Sequence, residues 1–194
     1  MRTAARPRVR VAIALAMLAG AWPLVAQAAD PPDAAQVYFS PNGGCTAAVV
    51  REIDAARESI EVQAYSFTSA PIASALAQAN ERGVRVQVIL DKSNRTARYS
   101  GADYLVHHGI PTRIDAAHAI AHNKVLIIDD RVVLTGSFNF TSAAEKHNAE
   151  NLLVLHDPEL AAEYLRNWKL HAVHSPLYQP EGDSRSERTV SRAR

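Results

Sequence analysis

The chain has 194 residues, 47% of them hydrophobic and 21% charged, with 21 Lys and Arg against 20 Asp and Glu. That length holds one domain with short extensions, and the composition excludes a fibrous or wholly disordered chain. The near-zero charge balance excludes a uniformly basic surface, so affinity for a polyanion has to come from a local cluster.

The first segment reads as a secretory signal peptide over residues 1–28. Arg2, Arg6, Arg8 and Arg10 form a basic leader, residues 11–25 are apolar, and Ala26, Gln27 and Ala28 give the small-x-small form of a cleavage site. The apolar run is short for a membrane span of about 20 residues, and Pro23 interrupts it. Export to the periplasm or beyond the cell is the expected fate. Loss of this segment removes four arginines and no acid, leaving 17 basic against 20 acidic side chains, a formal −3. Cys45 is the single cysteine, so no disulfide forms within the chain; an intermolecular bridge and a structural role both stay open.

After the leader, strand and helix patterns alternate. Residues 37–40 read as a strand and Pro41, Asn42, Gly43 and Gly44 as a turn. Residues 46–58 carry Val49, Ile53 and Ala56 at helical spacing. Residues 60–67 are rich in β-formers, whereas 71–82 carry Ile72, Leu76 and Ala79 at helical spacing and stop at Gly83. A strand with alternating Val84, Val86, Val88 and Leu90 follows, then a helix over 99–108 that ends at Gly109. Residues 112–114 form a short strand. Residues 122–128 and 132–136 form a hairpin about Asp129, Asp130 and Arg131, and 151–155 a further strand. Asp157 caps a last helix with Pro158 at its first position and Leu160, Tyr164, Leu165 and Trp168 as its buried stripe. Together these elements predict an α/β fold, a mixed β-sheet sandwiched by helices, without internal repeat. Residues 180–194 have the composition of a disordered polar tail.

Chemistry concentrates between 122 and 150. On a strand, His122 and Lys124 project from one face, roughly 6.5–7 Å apart. Ser137 and Asn139 follow the end of the next strand, and two polar pairs facing one crevice make an oxyanion pocket. Lys124 supplies fixed positive charge, Ser137 and Asn139 neutral donors, and His122 a nitrogen that is nucleophilic near pH 7. No carboxylate cluster of the hard-metal type accompanies them, so no divalent ion and no cofactor is expected in the reaction. Taken singly, His122 and Lys124 are also compatible with a solvated strand end, and Ser137 and Asn139 with turn formation.

The joint pattern, H-x-K-x4-D from His122 through Lys124 to Asp129 and then G-S-x-N from Gly136 through Ser137 to Asn139, resembles the signature of the phospholipase D superfamily. The layout is most similar to Nuc-type bacterial endonucleases and mitochondrial cardiolipin hydrolases. The resemblance implies a phospholipase D-like single domain over residues 35–177, with His122 attacking phosphorus to form a phosphohistidine and Lys124 and Asn139 holding phosphoryl oxygens. Ser137 would support them, and Glu150 would orient the other ring nitrogen of His122. Asp129 and Gly136 belong to the structural part of the motif. Such a mechanism needs two histidines, and one motif is present. A homodimer whose two-fold axis runs through the site would supply the second.

Lys92, Arg95 and Arg98 follow a strand at the edge where α/β sites open, and either line a groove for a polyanion or form an exposed helix start. His118 stands near the pocket mouth or is simply exposed. Nucleic acid is the favoured substrate and phospholipid the alternative, since no apolar loop for entering a lipid interface is evident. A catalytically silent phosphate-binding protein is the reading from another class.

Overall fold

A computed structural model describes residues 34–96 and 100–180. The expected signal peptide (1–28), Arg98 and all of the polar tail except Pro180 lie outside the described residues. The elements run β1 (Ala35–Ser40), α1 (Cys45–Ala55), β2 (Ser59–Ala64), α2 (Ala70–Glu81), β3 (Arg85–Asp91), a 3-10 turn (Lys92–Arg95) and α3 (Ala102–His107). They continue with β4 (Thr112–Asp115), β5 (Lys124–Ile128), β6 (Val132–Gly136), α4 (Ser142–Lys146), β7 (Glu150–His156) and α5 (Pro158–His174).

The strands form one mixed sheet in the order β1-β7-β6-β5-β2-β3-β4. β2, β3 and β4 are mutually parallel because helices separate them, whereas the short turn after β5 makes the β5–β6 pair antiparallel. Alternation along the strands divides the core. Ile60, Val62, Val86, Val88, Leu126 and Leu134 face α1 and α2, while Ile89, Val125, Ile127 and Val133 face α5 around Ala161 and Trp168. The expected sandwich of helices on both faces of a mixed sheet is therefore present.

Two differences from the sequence reading bear on the site. β5 starts at Lys124 rather than at residue 122, so His122 stands in the segment before the strand and not on its face. Its backbone runs beside β2: the Tyr65 amide donates to the Asn123 carbonyl at 2.8 Å. β7 begins at Glu150, so that carboxylate is the first residue of a strand. The sequence reading also passed over α4, whose Glu145 accepts hydrogen bonds from the backbone amides of Gly44 (3.2 Å) and Thr46 (2.7 Å) and so caps α1 from outside. Cys45 is fully buried at the start of α1, which removes the intermolecular bridge as an option for the folded chain.

Candidate functional site

One edge of the sheet gathers the site. Register pairs Ala64 with Lys124 and with Leu90, Gly136 with Leu152, and Ser40 with Glu150. The ends of β2, β3 and β6 therefore meet the starts of β5 and β7 along a single border. Such borders, at the carboxyl ends of parallel strands, are where open α/β sheets usually hold ligands.

There, His122, Lys124, Gly136, Ser137, Asn139 and Glu150 line a pocket of about 390 Å³. The pocket thus brings together the five polar residues singled out in the sequence, from three separate stretches of chain. His122 is exposed and Lys124 is buried at 6% exposure. The Lys124 ammonium donates one proton to the His122 carbonyl at 2.9 Å, leaving two N–H groups for a ligand. Burial lowers its pKa, opposed by the nearby Glu150 carboxylate. Ser137 Oγ accepts from the Asn151 amide at 3.1 Å and from Asn151 Nδ2 at 3.5 Å, so its own proton is free to point into the pocket. Asn139 carries a buried Oδ1 that no protein group satisfies among the described residues. A half-turn of the amide presents Nδ2 there instead, a donor for an anionic oxygen.

Gly136 has a structural reason to be glycine. Its φ is +149°, and a Cβ would collide with the backbone carbonyl of Asn151. Only a bare α-carbon lets the chain turn into Ser137 against β7. Asp129 lies at the far end of β5, in a turn where it and Asp130 have φ of 51° and 55°. Its carboxylate accepts from the backbone amides of Arg57, Glu58 and Ser59, at 2.9, 2.7 and 3.0 Å respectively. It clasps the entry to β2 and is remote from the pocket.

Glu150 lines the pocket, but its Oε1 accepts from Asn148 Nδ2 at 3.0 Å, and no hydrogen bond joins it to His122 in the single chain. The group in ring contact with His122 is Tyr65, which the sequence reading did not single out. Its centroid is 4.6 Å from the imidazole and 5.2 Å from Lys124 Nζ, a cation–π distance. The register of Ala64 against Lys124 brings Tyr65 there, and no local motif signals it.

The cationic cluster stands apart from the pocket lining. Lys92 Nζ is tied to the His118 carbonyl at 3.1 Å, and Arg95 is exposed on the same 3-10 turn. His118 is partnered with Asp115 rather than standing free. Two exposed apolar side chains flank the site: Ile120 (58% exposed), two residues before His122, and Phe39 (63% exposed), opposite Asn151 in the sheet. On the segment leading to His122, Ile120 is the large apolar side chain left exposed.

The family described as "Cardiolipin synthase, PLD-like domain" matches residues 49–170, well over half of the chain. Over 130 residues the chain is 49% identical to Phospholipase D of Rickettsia conorii, which is 67% of this chain and 65% of that protein. It is 34% identical over 121 residues to Mitochondrial cardiolipin hydrolase of Mus musculus, covering 62% of this chain and 55% of that one. It therefore spans somewhat more than half of the length of these relatives. Among solved structures it is similar to a phospholipase D family member, Nuc from Salmonella typhimurium, with a TM-score of 0.72 and 42% identity. That alignment covers 75% of this chain and 97% of the other.

Proposed function

The chain belongs to the phospholipase D-like domain family, and from that membership we propose that it is an exported phosphodiesterase that works as a homodimer through a phosphohistidine. One observation carries the reading: His122, Lys124, Ser137, Asn139 and Glu150 converge on one pocket at one sheet edge.

In the proposed reaction a neutral His122 nitrogen attacks phosphorus. The N–P bond forms as the P–O bond to the leaving alcohol breaks. Lys124, Ser137 and Asn139 stabilise the charge that builds on the non-bridging oxygens. The leaving oxygen takes a proton from the second His122, which the partner copy contributes. That imidazole then removes a proton from water, water attacks phosphorus, and the N–P bond breaks to return His122. Tyr65 packs against the attacking ring and limits its rotation. Two copies are invoked because the pocket of one chain contains a single histidine. Export is invoked because residues 1–28 carry the three-part signal pattern.

Nucleic acid is the proposed substrate. The exposed Arg95 and the tethered Lys92 stand on the turn after β3, outside the pocket lining, as cations for phosphates further along a polyanion. A phospholipid is the second reading, favoured by Ile120 and Phe39, which would enter a lipid surface beside the pocket, and in keeping with relatives named for phospholipid substrates.

Hydrolysis of bis(p-nitrophenyl) phosphate in EDTA tests the chemistry, with His122→Ala as control. Turnover by the native chain, its loss in the variant and a phosphorylated His122 in trapped enzyme are expected. A native chain without turnover would leave a phosphate-binding module as the better reading. Plasmid DNA, RNA and phospholipid vesicles offered side by side identify the substrate, and cleavage of vesicles alone would replace nucleic acid by lipid.

A further inference from the structure

Away from the pocket, four side chains converge on one point at the β4 edge. Asp115 ends β4 and is completely buried. His118 lies three residues on, and His171 and His174 lie one turn apart near the end of α5. The Asp115 Oδ2 atom is 3.0 Å from His118 Nδ1, 2.9 Å from His171 Nδ1 and 3.4 Å from His174 Nε2. The three imidazoles surround it, with ring centroids 4.9 to 5.3 Å apart.

Three ring nitrogens on one carboxylate oxygen exceed its two lone pairs. The other oxygen, Oδ1, accepts from the backbone amides of Ala117 at 3.1 Å and His118 at 3.4 Å, and His118 Nδ1, which straddles both oxygens, also lies 3.1 Å from it. Those bonds hold the carboxylate so that Oδ2 looks into the ring of imidazoles, the kind of fixed orientation that supporting hydrogen bonds give to metal ligands. The four ligand atoms all lie within 4.8 Å of one another. A tetrahedral zinc ion with bonds of about 2.0–2.2 Å sets its ligands roughly 3.3 Å apart, so closure needs rotamer shifts of about 1 Å. Three imidazoles and one carboxylate suit zinc, copper or nickel and not magnesium or calcium, which take oxygen. The His118 and His174 side chains are 47% and 35% exposed, which gives an ion a path to the buried carboxylate.

We propose that Asp115, His118, His171 and His174 bind a divalent transition-metal ion of the zinc class. The site is separate from the phosphodiester pocket. Pairing of Lys124 with Ala64, Ala64 with Leu90 and Leu90 with Ile114 puts three strand spacings, about 15 Å, between them. The ion's role is structural: it joins the edge strand β4 and the loop after it to the end of α5. The proposal stands whether or not the pocket is catalytic.

The test uses the full chain, stripped with EDTA and titrated with zinc chloride by calorimetry, followed by thermal melts with and without zinc. One zinc per chain is expected, with a rise of several degrees in Tm. His171→Ala, and separately His174→Gln as a milder change, should weaken binding at least about 100-fold. His107→Ala, a histidine outside the cluster, should leave it unchanged. Circular dichroism establishes that each variant is folded. Absence of zinc binding at tens of micromolar by the native chain would overturn the proposal. So would one-to-one binding that survives both cluster substitutions.

Discussion

At the scale of single residues, the pocket stores the costs that function imposes on a fold. Lys124 is a buried cation with one protein hydrogen bond, an arrangement that apolar residues of similar volume outperform in stability. Lys124→Met should therefore remove turnover while leaving the fold as stable or more stable by about 1 kcal/mol, as read in paired urea melts and activity assays. Gly136→Ala should do the reverse of a neutral change. Positive φ and the Asn151 carbonyl together predict a loss of roughly 2 to 4 kcal/mol. Cys45 gives a chemical check on burial, which pushes its thiol up to about 11, with Glu145 adding to the shift. It should ignore a thiol reagent at pH 8 in the native chain and react at once in denaturant.

At the scale of elements, long patterns were legible and short or tertiary ones were not. The apolar spacing of α1, α2 and α5 and the alternation of β3 identify those elements because each spans several periods. α4 escapes because five residues carry no period; Thr141 starts it by accepting from Ala144, and the need of α1 for Glu145 gives it a purpose. The motif residues were equally legible, since His122, Lys124, Ser137 and Asn139 sit at fixed offsets. Tyr65 was not, because it reaches His122 only through the register of β2 on β5. The Asp115 cluster was invisible for the same reason: His171 and His174 lie more than fifty positions from their carboxylate. Asp157 offers a test of how α5 is held. It caps the helix through the amides of Glu159 and Leu160, so Asp157→Ala should cost about 1 kcal/mol in chemical denaturation.

At the scale of the whole molecule, stability should depend on acid through buried carboxylates held below their ordinary pKa, Asp91 among them and Asp115 the most strongly shifted. Burial alone would raise the pKa of Asp115, but hydrogen bonds from His171, His118 and His174 outweigh it and hold the group well below the usual carboxylate range. A carboxyl with a depressed folded pKa favours the native state above its unfolded value, about pH 4, and loses that contribution as pH falls toward the folded value. Urea melts from pH 6 to pH 3 should show the steepest loss below pH 4, and Asp115→Asn should flatten that slope. Assembly is the other property of this scale. If two copies share one active site, specific activity should fall when the chain is diluted below its dimer dissociation constant, and sedimentation at the same concentrations should show the monomer.

Trp168 offers a way to watch these events. The chain has two tryptophans, Trp22 and Trp168, and the Trp168 indole is buried on the α5 face and donates to the Val62 carbonyl at 2.9 Å. In a chain that begins after residue 28, ultraviolet-excited emission comes from a single indole that joins α5 to the centre of the sheet. A red shift in that light would report separation of the two layers without any added dye.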